Sequence, residues 1–288
     1  MEMIIITGGS GFLGHYLYEY LLDRHPLILD IVPPQLKREW QYLDIKNPQD
    51  VMETVEDADY VYHLAASADF RLATLNTKHI VDTNLLGSVN VFKACLKHNV
   101  PVIYTSTQAI HDRPLTEYSL SKFQAEEYGQ ILIKKGLDLK IARLGYTYTP
   151  MLREGWVMSD LVLKVSMQKE VFLKNSKSYE SFTHIRDTFD GLELIKKKGQ
   201  PGVPYEISRD PITITHLAYA IKHLLNSKAR IVGDGVGAMP TYLRNDFVDI
   251  RTLGWKSKIS VREGLKEAIN NPRWTQMKIT DEDLERWS

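Results

Sequence analysis

A single cysteine, Cys95, stands in a chain of 288 residues, which excludes a disulfide within the chain and a zinc site built on paired thiols. Nothing in its cysteine usage suggests an oxidising compartment, and a lone thiol of this kind reads as a small buried hydrophobe. The sequence also lacks any charge imbalance, since 36 Lys and Arg offset 36 Asp and Glu. No basic field exists to draw a nucleic acid or an anionic membrane surface. The apolar run Met3 to Ile6 meets glycines at once, too early for a signal peptide or a bilayer span. A cytoplasmic protein with no metal site, no nucleic-acid partner and no membrane partner is therefore expected. Internal repeats and low-complexity segments are missing as well.

What is present is the composition of an ordinary globular protein, 43% hydrophobic and 25% charged. Short β-branched runs at 3–7, 27–31, 59–64, 101–106 and 139–144 alternate with longer segments of helical period. Leu13, Leu17 and Leu21, with Tyr16 and Tyr20, mark an amphipathic helix that ends near Pro26. Further crossover helices are expected at 84–98 and at 117–135, the latter capped by Thr116 with Glu117 in its first turn. The pattern predicts an α/β fold, a doubly wound parallel sheet of the Rossmann kind over residues 1–150. Past Pro150 the alternation loosens, and glycine and proline cluster at 199–204 and 233–240, so residues 151–288 read as a smaller substrate-binding lobe.

The first strand runs into Thr7, Gly8, Gly9, Ser10, Gly11, Phe12, Leu13 and Gly14, where the first helix begins. Gly9, Gly11 and Gly14 fit one dinucleotide-loop spacing, and Gly8, Gly11 and Gly14 fit its close relative. Missing β-carbons allow a tight turn and let phosphate approach backbone N–H groups at a helix N-terminus. Asp30 ends the second strand about 20 residues on, where a carboxylate bonds ribose hydroxyls. That carboxylate would repel a 2′-phosphate, and Ile31 to Pro34 offer no cation to offset it, so NAD is the expected cofactor. Leu64, Ala65 and Ala66 close the strand at 59–64, where small side chains would let a flat ring come near. Asp44 and Ile45 lie in a short segment after the second strand.

Tyr118 and Lys122 stand four residues apart on a predicted helix and so share one face. A phenol with an ordinary pKa of about 10 is a poor base at neutral pH, and a neighbouring ammonium lowers it. Thr107, just past the strand at 101–106, could hydrogen-bond the substrate oxygen. The spacing alone more often marks a solvated helix face. Its place after a glycine loop, an acid and Thr107 turns it into a candidate catalytic set.

Together these pieces resemble the extended short-chain dehydrogenase/reductases, the group containing sugar-nucleotide epimerases and dehydratases such as UDP-glucose 4-epimerase. The likeness rests on Thr7 to Gly14, Asp30, Asp44 with Ile45, His63 to Ala66, Asn84 to Gly87, Tyr104 to Thr107, Tyr118 to Lys122 and Arg143 to Pro150. Leu253 to Trp255 and Gly264 with Leu265 resemble its C-terminal signature. His184 and Asp187 resemble its segment returning to the Rossmann domain, which implies a return over about 182–208. The resemblance implies adenine contacts near Asp44 and Ile45, ribose contacts at Asp30, and nicotinamide-ribose contacts at Tyr118 and Lys122. It further implies a homodimer through the helices at 84–98 and 117–135.

Several positions depart from the family pattern. Gln108 and Ala109 follow Thr107 where dehydratases carry an Asp-Glu pair, and neither can transfer a proton. His111 and Asp112 replace a tyrosine and a glycine, and Glu180 stands where many members place an arginine. Pro240, Tyr242 and Arg251 keep the family register before Leu253; that likeness implies a contact from Arg251 to a substrate diphosphate, with a solvated surface arginine as the other reading. The expected function is an NAD-dependent nucleotide-sugar epimerase, acting at C4. A reductase or dehydrogenase of a sugar or other carbonyl compound is the second reading, and a dinucleotide-binding sensor without chemistry the third. Trp274 and Trp287 read as part of a small helix or a docking element.

Overall fold

The computed structural model describes residues 2–68, 76–112, 114–151, 155–237 and 246–271. Pro240, Tyr242, Trp274 and Trp287 lie outside the described residues. The chain divides into two compact units. One comprises Met1–Gly145, Ile185–Ser208 and Thr241–Lys256; the other comprises Tyr146–His184, Arg209–Pro240 and Ser257–Ser288.

In chain order the elements up to residue 144 are β1 (Ile4–Thr7), α1 (Phe12–Tyr20), β2 (Leu27–Asp30), β3 (Trp40–Tyr42), α2 (Pro48–Val55), β4 (Tyr60–His63) and α3 (Thr77–Ile80), which continues through a π-helical stretch (Val81–Gly87) into α4 (Ser88–His98). Then come β5 (Val102–Thr107), α5 (Glu117–Ile133) and β6 (Leu139–Leu144). There follow β7 (Tyr146–Tyr148), α6 (Val157–Met167), β8 (Glu170–Leu173), β9 (Tyr179–Glu180), β10 (Phe182–His184), α7 (Ile185–Lys198), β11 (Pro204–Ile207), β12 (Ile212–Thr213), α8 (Ile214–Leu224), β13 (Arg230–Gly233), β14 (Val248–Asp249) and α9 (Val261–Ile269). Among the described residues no helix is long and apolar enough to cross a membrane.

The first unit is built on an eight-stranded sheet of order β14-β11-β6-β5-β4-β1-β2-β3. Every neighbouring pair in it is parallel. Both faces are covered, so strand residues alternate between two cores. Ile5, Leu29, Val61, Val102, Tyr104 and Ile141 face α2, α4 and α5, while Ile4, Ile6, Ile28, Tyr62 and Ile103 face α1 and α7. Chain order reverses between β1 and β4, and that reversal opens a crevice at the carboxyl edge of the sheet.

β3, α2, β11 and β14 of this unit were not expected from the sequence. β3 is three exposed residues at the sheet edge, too short to carry a period. α2 begins at Pro48 behind Asn47, whose side chain accepts from the Gln49 and Asp50 amides at 3.1 and 3.5 Å. β11 and β14 add two strands beyond β6, and the pairing of β14 with β11 draws Thr241–Lys256 into the sheet-containing unit. The helix expected at 117–135 starts as read: Thr116 accepts from the Ser119 amide at 3.1 Å in a capping box.

The second unit carries three two-stranded pairs, β10 with β7, β12 with β9 and β13 with β8. Its core joins Leu161, Val162 and Val165 of α6, Leu217 and Ile221 of α8, and Leu265 of α9.

A buried ionic group ties α5 to the sheet in the first unit. Arg143 on β6 is 1% exposed and reaches Glu126 through Nε at 3.1 Å and Nη2 at 2.7 Å, with Asp246 at 3.1 Å from Nη1. Replacing Arg143 by Met leaves the Glu126 carboxylate buried without its counter-charge and is expected to cost about 3–5 kcal/mol. Urea unfolding of R143M measures this. Adding Glu126→Leu should restore much of the loss, and no recovery would mean that packing, not charge, holds this contact.

Candidate functional site

The glycine loop leaves β1 at Thr7 and returns in α1, lying across the crevice. Gly8 has φ of 72°, and a β-carbon there would stand 2.6 Å from Ala65 Cα and N. A β-carbon on Gly14 would stand 2.3 Å from Gly8 O, so α1 can begin against the loop only with glycine there. Gly11 caps α1 without a side chain, and Phe12 and Leu13 begin the first helical turn. This is a cradle for an anion that a side chain would fill. Leu64 continues from β4 by donating its amide to Thr7 O at 3.1 Å, and the backbone of Ala65 lies against Gly8, with Ala66 next in the chain.

Asp30 ends β2 beside this loop. Its carboxylate accepts from the Ser10 amide at 3.0 Å and the Val32 amide at 3.3 Å, which leaves acceptor positions for the hydroxyls of a ribose. Asp44 and Ile45 follow β3 one strand further out; Asp44 accepts from the Lys46 amide at 3.0 Å, and Asn90 donates to Ile45 O at 2.9 Å. Arg38 is a cation that the sequence reading passed over. It is already committed to Glu19, donates to His15 O at 3.0 Å and lies 4.8 Å over the Tyr18 ring. Among the described residues it makes no hydrogen bond or ion pair with Asp30.

Thr107 ends β5, the next strand but one from β1. Its Oγ1 accepts from the Ala109 amide at 3.1 Å, so the hydroxyl proton is directed elsewhere. Tyr118 and Lys122 lie in the first two turns of α5, which packs on β5 and on the turn after Thr107. Lys122 is 1% exposed, and its ammonium stands 4.1 Å above the Tyr104 ring, with no hydrogen bond or ion pair among the described residues. Burial pulls its pKa down to about 7, opposed by the negative charge of Glu126 one turn on. Burial pushes the Tyr118 phenol up to about 12. Both shifts have one cause, the cost of a lone charge in a dry site. Each charge would relieve the other if both groups ionised together.

A sequence model of the NAD dependent epimerase/dehydratase family matches residues 4–208. The chain belongs to this family. UDP-glucuronic acid decarboxylase 1 of Arabidopsis thaliana is 25% identical over 94% of the chain and 69% of that protein. UDP-glucuronate 4-epimerase of Thermodesulfobacterium geofontis is 24% identical over 97% of the chain and 98% of that protein. A UDP-glucose 4-epimerase from Thermotoga maritima, solved with UDP-glucose, shares the fold with a TM-score of 0.79 at 20% identity, over 94% of this chain and 99% of that one. The Thermus thermophilus UDP-glucose 4-epimerase, solved with NAD, gives 0.77 at 18% identity, over 96% and 100%.

This family's enzymes are NAD-dependent, NAD is the cofactor, and the glycine cradle with Asp30 beside it fits that group. The turn after Thr107 differs from what an acid and base pair would require. Gln108 donates through Nε2 to Glu206 at 2.9 Å, and His111 bonds the other oxygen of the same buried carboxylate. Glu206 sits on β11, 98 residues beyond Gln108, and had no local signal in the sequence. Glu126, by contrast, was legible as the residue one turn after Lys122. Arg251 lies at the edge of the sheet. It follows β14, with β11 and β6 between it and β5, about 14 Å in strand spacings. Its guanidinium is bonded by Asp249 at 2.8 Å.

The low pKa of Lys122 predicts a pH dependence of stability. The folded value near 7 lies below the ordinary 10.5, so between about pH 7 and 10 the unfolded chain binds more protons and stability rises with pH. Tyr118, raised to about 12, contributes only above about pH 10 and with opposite sign. Urea midpoints of the NAD-free protein should climb across that window. In Lys122→Met this part of the climb should vanish, and an unaltered slope would show that the ammonium is not desolvated.

Proposed function

We propose that the protein is a nucleotide-sugar epimerase acting at C4, with Tyr118 as proton acceptor, Lys122 as its electrostatic partner and Thr107 as the hydrogen-bond donor that orients the sugar hydroxyl. NAD, when bound, supplies the hydride acceptor. Gly8, Gly11, Phe12, Leu13 and Gly14 cradle its pyrophosphate, Asp30 takes the adenosine ribose, Asp44 and Ile45 border the adenine, and Leu64, Ala65 and Ala66 line the crevice floor. Lys122 also holds the nicotinamide ribose through its unbonded ammonium. The observation that carries this reading is the poverty of proton carriers around Thr107: Gln108 is amidated and tied to Glu206, and His111 is tied to the same carboxylate. Epimerisation needs one group that accepts a hydroxyl proton and returns it, whereas dehydration needs a further acid and base. The named relatives, which act on UDP-glucuronic acid and UDP-glucose, support a UDP-sugar as substrate.

Tyr118 then removes the hydroxyl proton as hydride leaves the same carbon. The keto sugar turns, and hydride and proton return to give the opposite configuration. Net redox is zero. Proton NMR of the purified protein with UDP-glucose and UDP-glucuronic acid tests the reading. Inversion at C4 with no net change in nicotinamide absorbance is the expected result. Net NADH formation would make it a dehydrogenase, and carbon dioxide release from UDP-glucuronic acid a decarboxylase.

Tyr118→Phe keeps the ring but removes the transferable proton, and turnover should fall by roughly 10²–10⁴-fold with NAD affinity preserved. Near-normal turnover would exclude Tyr118 as the base. For Asp30→Ala, titrations with NAD and NADP should show a narrowed preference for NAD, because a charge-assisted hydrogen bond of about 1.5–3 kcal/mol is lost and the repulsion of a 2′-phosphate with it. Equal preference before and after would place the ribose elsewhere.

A further inference from the structure

His63 is fully buried at the end of β4, beside Thr7 at the end of β1, and the proposed chemistry makes no use of it. Each of its ring nitrogens is bonded. Nδ1 lies 2.7 Å from Thr7 Oγ1 and Nε2 lies 2.9 Å from Ser88 Oγ. The direction of every proton in this chain follows from its two ends. Ser88 Oγ donates to Asn84 O at 2.6 Å, so towards His63 it can only accept, and Nε2 must carry the hydrogen. Nδ1 is then the bare nitrogen and accepts from Thr7 Oγ1, which itself accepts from the Ala65 amide at 3.4 Å.

The chain continues past Asn84. The π-helical stretch that contains Asn84 turns its side chain to bridge two segments: Nδ2 donates to Ser67 O at 3.0 Å and to Ser121 Oγ at 3.1 Å, while Oδ1 accepts from the Ser67 amide at 2.7 Å. Ser121 Oγ donates in turn to Tyr118 O at 2.8 Å. The His63 ring also stacks on Tyr104 at 5.5 Å between centroids, and Tyr104 is the ring beneath the Lys122 ammonium. Burial and the charge of Lys122 both disfavour a second proton on His63, which agrees with the single tautomer that the bonding requires.

We propose that His63 is a positioning residue: held as the neutral, Nε2-protonated tautomer, it couples the glycine loop at Thr7 to the helix that bears Tyr118 and Lys122. The cofactor cradle and the proton acceptor are thereby set as one unit. Its effect on turnover rests on the reading of Tyr118 given above; its effect on the glycine loop does not.

Two substitutions split the chain at the ring. Asparagine places an amide group at about the position of Nδ1, within reach of Thr7 but not of Ser88, and glutamine places one at about the position of Nε2, within reach of Ser88 but not of Thr7. With UDP-sugar substrate, His63→Asn should lose mainly kcat and His63→Gln mainly NAD affinity, each by about tenfold, the worth of one buried hydrogen bond. Should the ring variants fail to fold, Ser88→Ala removes only the middle hydroxyl and should reproduce the asparagine pattern. Equal losses of NAD affinity and kcat in both ring variants, in step with their unfolding free energies, would reduce His63 to packing and overturn the proposal. So would NMR of the NAD-free protein showing a histidine at this site that is protonated at Nδ1 or titrates near neutral pH. NAD affinity and the tautomer are read without substrate, so persistence of turnover in Tyr118→Phe would remove the catalytic reading while leaving these two measurements decisive for His63.

Discussion

The backbone of Gly8 lies against that of Ala65 with no room for a β-carbon between them, and the rest of the site is arranged around that approach. It is possible because β1 and β4 are parallel neighbours whose connections depart in opposite directions, which leaves their carboxyl ends open. The loop can then turn at a positive φ, and α1 can start at once against it, because Gly14 also has no side chain. Any residue with a β-carbon at Gly8 would push the loop off the crevice, displacing Asp30, which is bonded to the loop at Ser10, and Thr7, which is bonded to His63.

The helix at 117–133 imposes a second constraint, since it carries charge into a dry interior. Lys122 and Glu126 stand one turn apart with almost no exposure, and the carboxylate is balanced from β6 by Arg143, which Asp246 balances in turn. Such a series is tolerable only when each charge meets an opposite one. Lys122 is the exception: its ammonium rests on an aromatic face rather than on a carboxylate, and its lowered pKa reports that incomplete solvation. A group left in this condition would gain from hydroxyl acceptors and from a nearby phenolate.

The same packing narrows the chemistry. The turn after Thr107 is short and is held at both ends by Glu206 from a strand two places further along the sheet. A carboxylate that might have served as acid or base is thereby spent as a structural acceptor. The amide at Gln108 is fixed rather than offered to substrate.

Local chemistry alone determined a good deal. Glycine at 8, 11 and 14, the acid at 30, the capping threonine at 116 and the four-residue step from Tyr118 to Lys122 each follow from backbone freedom or helical period within one short segment. The alternation of apolar runs made the central strands and their parallel order legible for the same reason. Only the tertiary structure could decide what depended on residues far apart in the chain. Exposed β3 carried no period; β11 and β14 became sheet members through pairing; Arg38 was bonded to Glu19 from another element. The chain from Thr7 through His63 and Ser88 to Asn84 belongs with these. Sequence spacing carries no record of which buried hydroxyl donates and which accepts, because that choice is made by partners brought together only when the sheet and its covering helices close around them.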